Sequence, residues 1–167
     1  MIVDTHSHAG INWFEPVEMI LYQMDQNQVE QAVLIQHAGN FHNRYIIECT
    51  RRFPGRFSAV VWVDVAKPDA PQTLERLSQQ EGVVGVRLHP GDRSPGADPL
   101  AIWRKAAELG MPVSCYARSA EHCADPEFQQ LVAELPQLTI VLEHLAGPTV
   151  PRVPSRLPRL TSGTGRL

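Results

Sequence analysis

The chain has 167 residues, 43% of them apolar and 20% charged, with a formal net charge of −3. Such a composition describes one ordinary globular domain with enough residues to bury a core, and it excludes a fibre, a wholly disordered chain or a membrane protein. The weak acidity offers no basic field for nucleic acid and no apolar run approaches a membrane span, so the expected partner is a small molecule.

The first predicted strand starts at Ile2-Val3 and runs into Asp4-Thr5-His6-Ser7-His8 before a loop at Gly10. Alternate residues of a strand share a face, so His6 and His8 point the same way at its carboxyl end, where one cation could take both imidazoles. The bland alternative is a pair of surface histidines. Apolar residues at Val17, Ile20, Leu21 and Met24 then predict a helix over 16–28 with one buried face. A strand over 32–36 follows, then a helix over 43–53 closed by Pro54-Gly55, and a β-branched and aromatic strand over 57–63 ending at Asp64. Next come a helix over 69–80 and a strand over 83–88 that runs into His89-Pro90-Gly91. A helix over 99–109 stops at Gly110, a strand covers 112–116, and a helix covers 126–135. The last strand, over 138–143, delivers His144 at its carboxyl end.

Six units in one direction predict a parallel sheet covered by helices. Periodicity alone allows either a barrel or an open, doubly wound sheet. Candidate residues at the carboxyl ends of several strands favour the barrel, and histidines stand where a doubly wound fold often has a glycine-rich phosphate turn.

Several side chains carry their own expectations. His89 follows Arg87 by two and shares its face, so both could touch a ligand. His37 is expected to cap its strand through a nearby carbonyl, whereas His42 and His122 lie in polar connecting segments and should be exposed. Cys115 reads as a small core residue. Cys49, Cys115 and Cys123 fall in no close zinc-type spacing, and the start of the chain lacks the basic leader and apolar core of a signal peptide. The chain is therefore expected to be cytoplasmic with reduced thiols.

Taken together, Asp4-Thr5-His6-Ser7-His8, Gly82-Val83-Val84-Gly85-Val86-Arg87-Leu88 and Ile140-Val141-Leu142-Glu143-His144-Leu145-Ala146-Gly147 resemble the amidohydrolase-related family of metal-dependent hydrolases. The resemblance implies a (β/α)8 barrel of the TIM type, here incomplete with about six βα units. It also implies an activity: hydrolysis of lactones and related esters, or decarboxylation of aromatic and muconate-like acids. His6 and His8 become metal ligands, with zinc expected, manganese as the other candidate, and weak or absent binding allowed for. His144 becomes the catalytic histidine that polarises a carbonyl or assists water. The decarboxylase branch has a fifth-strand histidine where this chain has Val113-Ser114-Cys115-Tyr116-Ala117, so the resemblance is to the lactonase-like branch. Arg87 and Tyr116, with His89, are then the residues to bind a small carboxylated ring, the bland alternatives being a rim salt bridge for Arg87 and barrel packing for Tyr116.

A second departure concerns the end of the chain. Barrels of this type run to about 250 residues, and the family has an essential aspartate after its eighth strand. Here residues 1–147 give a partial barrel, and 148–167 form a Pro/Arg-rich tail expected to be irregular, as from a truncation or a shifted frame. Exposed first and sixth strand edges would favour a homo-oligomer. The expected function is a metal-dependent hydrolase of a lactone or related ester, the rivals being a non-catalytic barrel fragment and a decarboxylase. If a base replaces the missing aspartate, Asp64, Asp92 and Glu143 are the places to look.

Overall fold

The computed structural model describes residues 1–146, so the Pro/Arg-rich stretch 148–167 lies outside it. Strands and helices alternate as β1 (Val3–Ser7), α1 (Val17–Gln26), β2 (Gln31–Ile35), α2 (Arg44–Arg52), β3 (Phe57–Trp62), α3 (Ala70–Ser78), β4 (Val83–Leu88) and α4 (Ala101–Glu108). They continue as β5 (Val113–Cys115), α5 (Ala120–Ala124), α6 (Pro126–Glu134) and β6 (Ile140–Leu142). The sequence reading missed α5. His122 lies on that short helix rather than in a connecting segment, although it is exposed as expected.

All strands pair in parallel in the order β1-β2-β3-β4-β5-β6. That order settles the architecture. A doubly wound sheet needs a point where strand order reverses, so that right-handed crossovers can cover both faces. Without a reversal every helix falls on one face and the sheet curls around the other, giving an incomplete (β/α)8 barrel.

The apolar core lies between sheet and helices. Leu34, Ala59, Val61, Val86, Leu88, Val113 and Cys115 pack there against Val17, Ile20 and Met24 of α1, Leu74 of α3, Ile102 and Trp103 of α4, and Phe128 and Leu131 of α6. Each of the Val, Leu, Ile, Met and Phe side chains so removed from water contributes roughly 1.5–3 kcal/mol. Because neighbours alternate, the residues between them turn to the concave face, and these include Trp62, Arg87 and Ser114. Helix α6 begins with Pro126 in its first turn after Asp125, whose side chain accepts the Glu127 backbone N–H at 2.8 Å.

Among the described residues β1 pairs only with β2 and β6 only with β5, and Val141 and Leu142 of β6 are exposed. No helix there is long and apolar enough to cross a membrane. Cys49, Cys115 and Cys123 are free thiols, the first two buried.

Candidate active site

The carboxyl end of β1 is braced by its own first residues. Asp4 accepts the His6 backbone N–H at 3.0 Å and the Ser7 hydroxyl at 2.5 Å, beside an irregularity in the β1–β2 register between Asp4 and Ser7. His6 lies on β1 and His8 just beyond it, yet their Nε2 atoms stand 3.2 Å apart. His8 Nδ1 donates to the Ile35 carbonyl at 2.6 Å, which places the ring proton on Nδ1 and leaves the Nε2 lone pair for another partner. Two nitrogens bound tetrahedrally to one zinc ion would be about 3.3 Å apart, so the observed separation suits a shared ion. Burial lowers the pKa of both rings from 6.5, so both favour the neutral form that binds metal.

From β6 come Glu143 and His144. The chain leaves the strand through a left-handed turn, with φ of 52° at His144, 52° at Leu145 and 59° at Ala146. For residues with a Cβ that conformation costs roughly 1–2 kcal/mol each. It sets the His144 ring 4.6 Å from the His6 ring, centroid to centroid. One ligand atom each from His6, Glu143 and His144 fall within 4.8 Å of one another, and His8 adjoins the group through His6. The fit to a divalent ion therefore rests on three imidazoles and a carboxylate.

Arg87 ends β4 as expected, but its fork is already engaged. Nε and Nη2 donate to the Glu143 oxygens at 2.8 and 2.5 Å, and Nη1 donates to the Gln36 carbonyl at 2.8 Å. The guanidinium lies 5.0 Å from the Trp62 ring and 4.6 Å from the Tyr116 ring. Arg87 thus binds a carboxylate of its own chain in this structure.

His89 and Tyr116 adjoin this centre. His89 Nδ1 donates to the Tyr116 carbonyl at 2.9 Å, and its ring lies 5.2 Å from Trp62 and 5.1 Å from Tyr116. Both line a hollow of about 330 Å³ with Asp92, the exposed Arg118 and His122. Asp92 accepts the His89 backbone N–H at 2.8 Å; burial pushes its carboxyl up and that hydrogen bond pulls it down. Asp64 lies in a different hollow, lined by α2 and α3 residues, and accepts the Ala66 N–H.

His37 departs from expectation. The Asn40 side-chain amide, not a carbonyl, faces its Nε2 at 3.1 Å, and its buried Nδ1 has no partner. Sequence reading named Glu143 only as a place to seek a base, and it overlooked Ser114, Gln36 and Trp62. The available signal for Glu143 was an acid directly before a strand-end histidine.

The amidohydrolase family profile matches residues 7–165. Among solved structures, the chain is similar to a probable 2-pyrone-4,6-dicarboxylic acid hydrolase from Acinetobacter baumannii with citric acid bound: 18% identity, TM-score 0.58, 90% of this chain and 73% of that one. It is also similar to 2,6-dihydroxybenzoate decarboxylase from Rhizobium, with 19% identity, TM-score 0.66, and 87% and 67% covered. A third is 5-carboxyvanillate decarboxylase from Novosphingobium aromaticivorans with bound manganese, with 11% identity, TM-score 0.59, and 88% and 66% covered. At such identities the likeness establishes the fold, and the chain spans 66–73% of these three proteins' lengths. No curated protein matches the chain.

Proposed function

Because the chain belongs to the amidohydrolase family, we propose that it is a metal-dependent hydrolase of a lactone or related ester carrying a carboxylate. The observation that carries this reading is the pair of Nε2 atoms of His6 and His8, 3.2 Å apart with the His144 ring beside them. Zinc or manganese held by these residues would supply Lewis acidity toward a carbonyl and activation of water.

The chain's own groups provide the rest. His144, with its side chain 55% exposed, can donate a hydrogen bond to the oxygen that gains charge as the ester carbonyl is attacked. The Tyr116 and His89 rings, tilted 51° to one another, offer two aromatic faces, and His89 Nε2 is the ring nitrogen left over from the bond to the Tyr116 carbonyl. With the Arg87 fork held by Glu143, Arg118 in the same hollow is the cation placed for a substrate carboxylate. The stretch Val113-Ser114-Cys115-Tyr116-Ala117 disfavours decarboxylation by resemblance, since that branch has a histidine on this strand.

The test is turnover by the purified chain of carboxylated lactones with added zinc or manganese, alongside His6→Ala and His144→Ala. Metal-dependent ring opening lost in both variants supports the reading. Release of carbon dioxide from aromatic acids instead would make it a decarboxylase, and metal binding without turnover of either class would favour the non-catalytic fragment.

A further inference from the structure

A site of imidazoles alone gives a divalent ion no neutralising charge. Glu143 is the one buried acid among the described residues, and it lies beside the histidines. A carboxylate so removed from water must be paired, and Arg87 pairs it through both oxygens.

The two oxygens are not equivalent. Each has about two acceptor positions. Oε1 fills both, taking Arg87 Nε at 2.8 Å and the Ser114 hydroxyl at 2.7 Å. Oε2 takes only Arg87 Nη2, at 2.5 Å, and stands 4.0 Å from His144 Nε2. The oxygen with a vacant acceptor position is therefore close to the imidazoles. Ligand atoms bound tetrahedrally at 2.0–2.2 Å lie about 3.3–3.6 Å apart: the β1 histidines already stand at that spacing, 3.2 Å, while the Glu143 oxygen, within 4.8 Å of the His6 nitrogen and 4.0 Å from His144 Nε2, draws in toward them when the ion binds.

We propose that Glu143 is the carboxylate ligand of the ion held by His6 and His8 beside His144, and that Arg87 and Ser114 are positioning residues that aim its free oxygen. The proposal rests on the metal reading above. It explains why the Arg87 fork is filled from within: hydrogen-bonded partners fix the orientation of ligating carboxylates. A mixed nitrogen and oxygen set of this kind suits zinc or manganese.

Zinc affinity, by competition with a chromophoric chelator, and the absorption spectrum of the cobalt(II) form test it without any assay of activity. The variants are Glu143→Gln and the double Arg87→Met/Glu143→Gln, which strands neither charge, with circular dichroism to verify folding. Both should bind zinc at least about tenfold more weakly than the unmodified chain, with altered cobalt bands, and Ser114→Ala should lose less. Either variant, natively folded, with unchanged zinc affinity and cobalt spectrum would overturn the assignment of Glu143. Failure of the unmodified chain itself to take up zinc or cobalt would overturn the metal reading and this inference together, a result visible before any variant is made.

Discussion

Arg87 on β4 and Glu143 just past the end of β6, a strand that does not pair with β4, form a two-pronged ion pair with side chains only 3% and 1% exposed. Their union crosses the concave face from β4 to the end of β6, over β5, whose Ser114 adds a third hydrogen bond to the same carboxylate. A pair so buried is costly to split, because the remaining charge has no water to replace its partner.

Arg87→Met should therefore destabilise the fold by about 3–5 kcal/mol, and the double variant with Glu143→Gln should recover most of that loss. Urea denaturation measures both. A loss under about 1 kcal/mol for Arg87→Met would mean that the pair is open to solvent.

Zinc should raise the heat-unfolding midpoint. At a free concentration a hundredfold above Kd, binding adds about 2.7 kcal/mol, roughly 5–10 °C for a chain of this size. A chelator should reverse the shift and His8→Ala should abolish it; an equal shift in that variant would place the ion elsewhere.

Metal-free stability should fall on the acid side. Burial lowers the folded-state pKa of His6 and His8 below 6.5, so on acidification the unfolded chain takes up protons first. The contribution is fully present above 6.5 and disappears as pH falls from there through the folded-state values. Midpoints measured in chelator from pH 7.5 to 5 should decline, and His8→Asn should flatten the decline. An identical slope in that variant would show that other groups govern it.

Thiol titration should separate the cysteines. Burial pushes Cys49 up to about 11 and Cys115 up to about 12, whereas Cys123 is only half-buried with its pKa raised less far. One fast-reacting thiol is expected in the folded chain at pH 8, lost in Cys123→Ser, and three after unfolding. Rapid reaction of all three without denaturant would contradict the packing of β5 against the helices.

Gly82→Ala should cost about 1–3 kcal/mol. Gly82 has φ of +81°, and a Cβ there would lie 2.4 Å from the Thr50 hydroxyl, itself bonded to the Ile47 and Glu81 carbonyls. Chemical denaturation reads the loss, and a neutral outcome would require the turn before β4 to move.

Much of this architecture was legible in the sequence because its signals are local. The β-branched and aromatic run of β3, the helical spacing of Val17, Ile20 and Met24, and the close spacing of His6 and His8 are set by neighbours a few residues away. Helix α5 escaped notice because five residues carry no apolar period, and none of them is buried. What only the tertiary structure decided depends on distant segments meeting. Periodicity could not choose between a curled and a doubly wound sheet, since strand order is a property of pairing rather than of any one strand. Nor could it choose between a salt bridge and a ligand for Arg87, or name Glu143, 56 residues later, as the acid that takes its fork. An arginine at a strand end looks the same in sequence whether it meets solvent, substrate or a buried acid. The partner is set by which strand ends the closing sheet brings together, and by the cost of leaving a charge there without one.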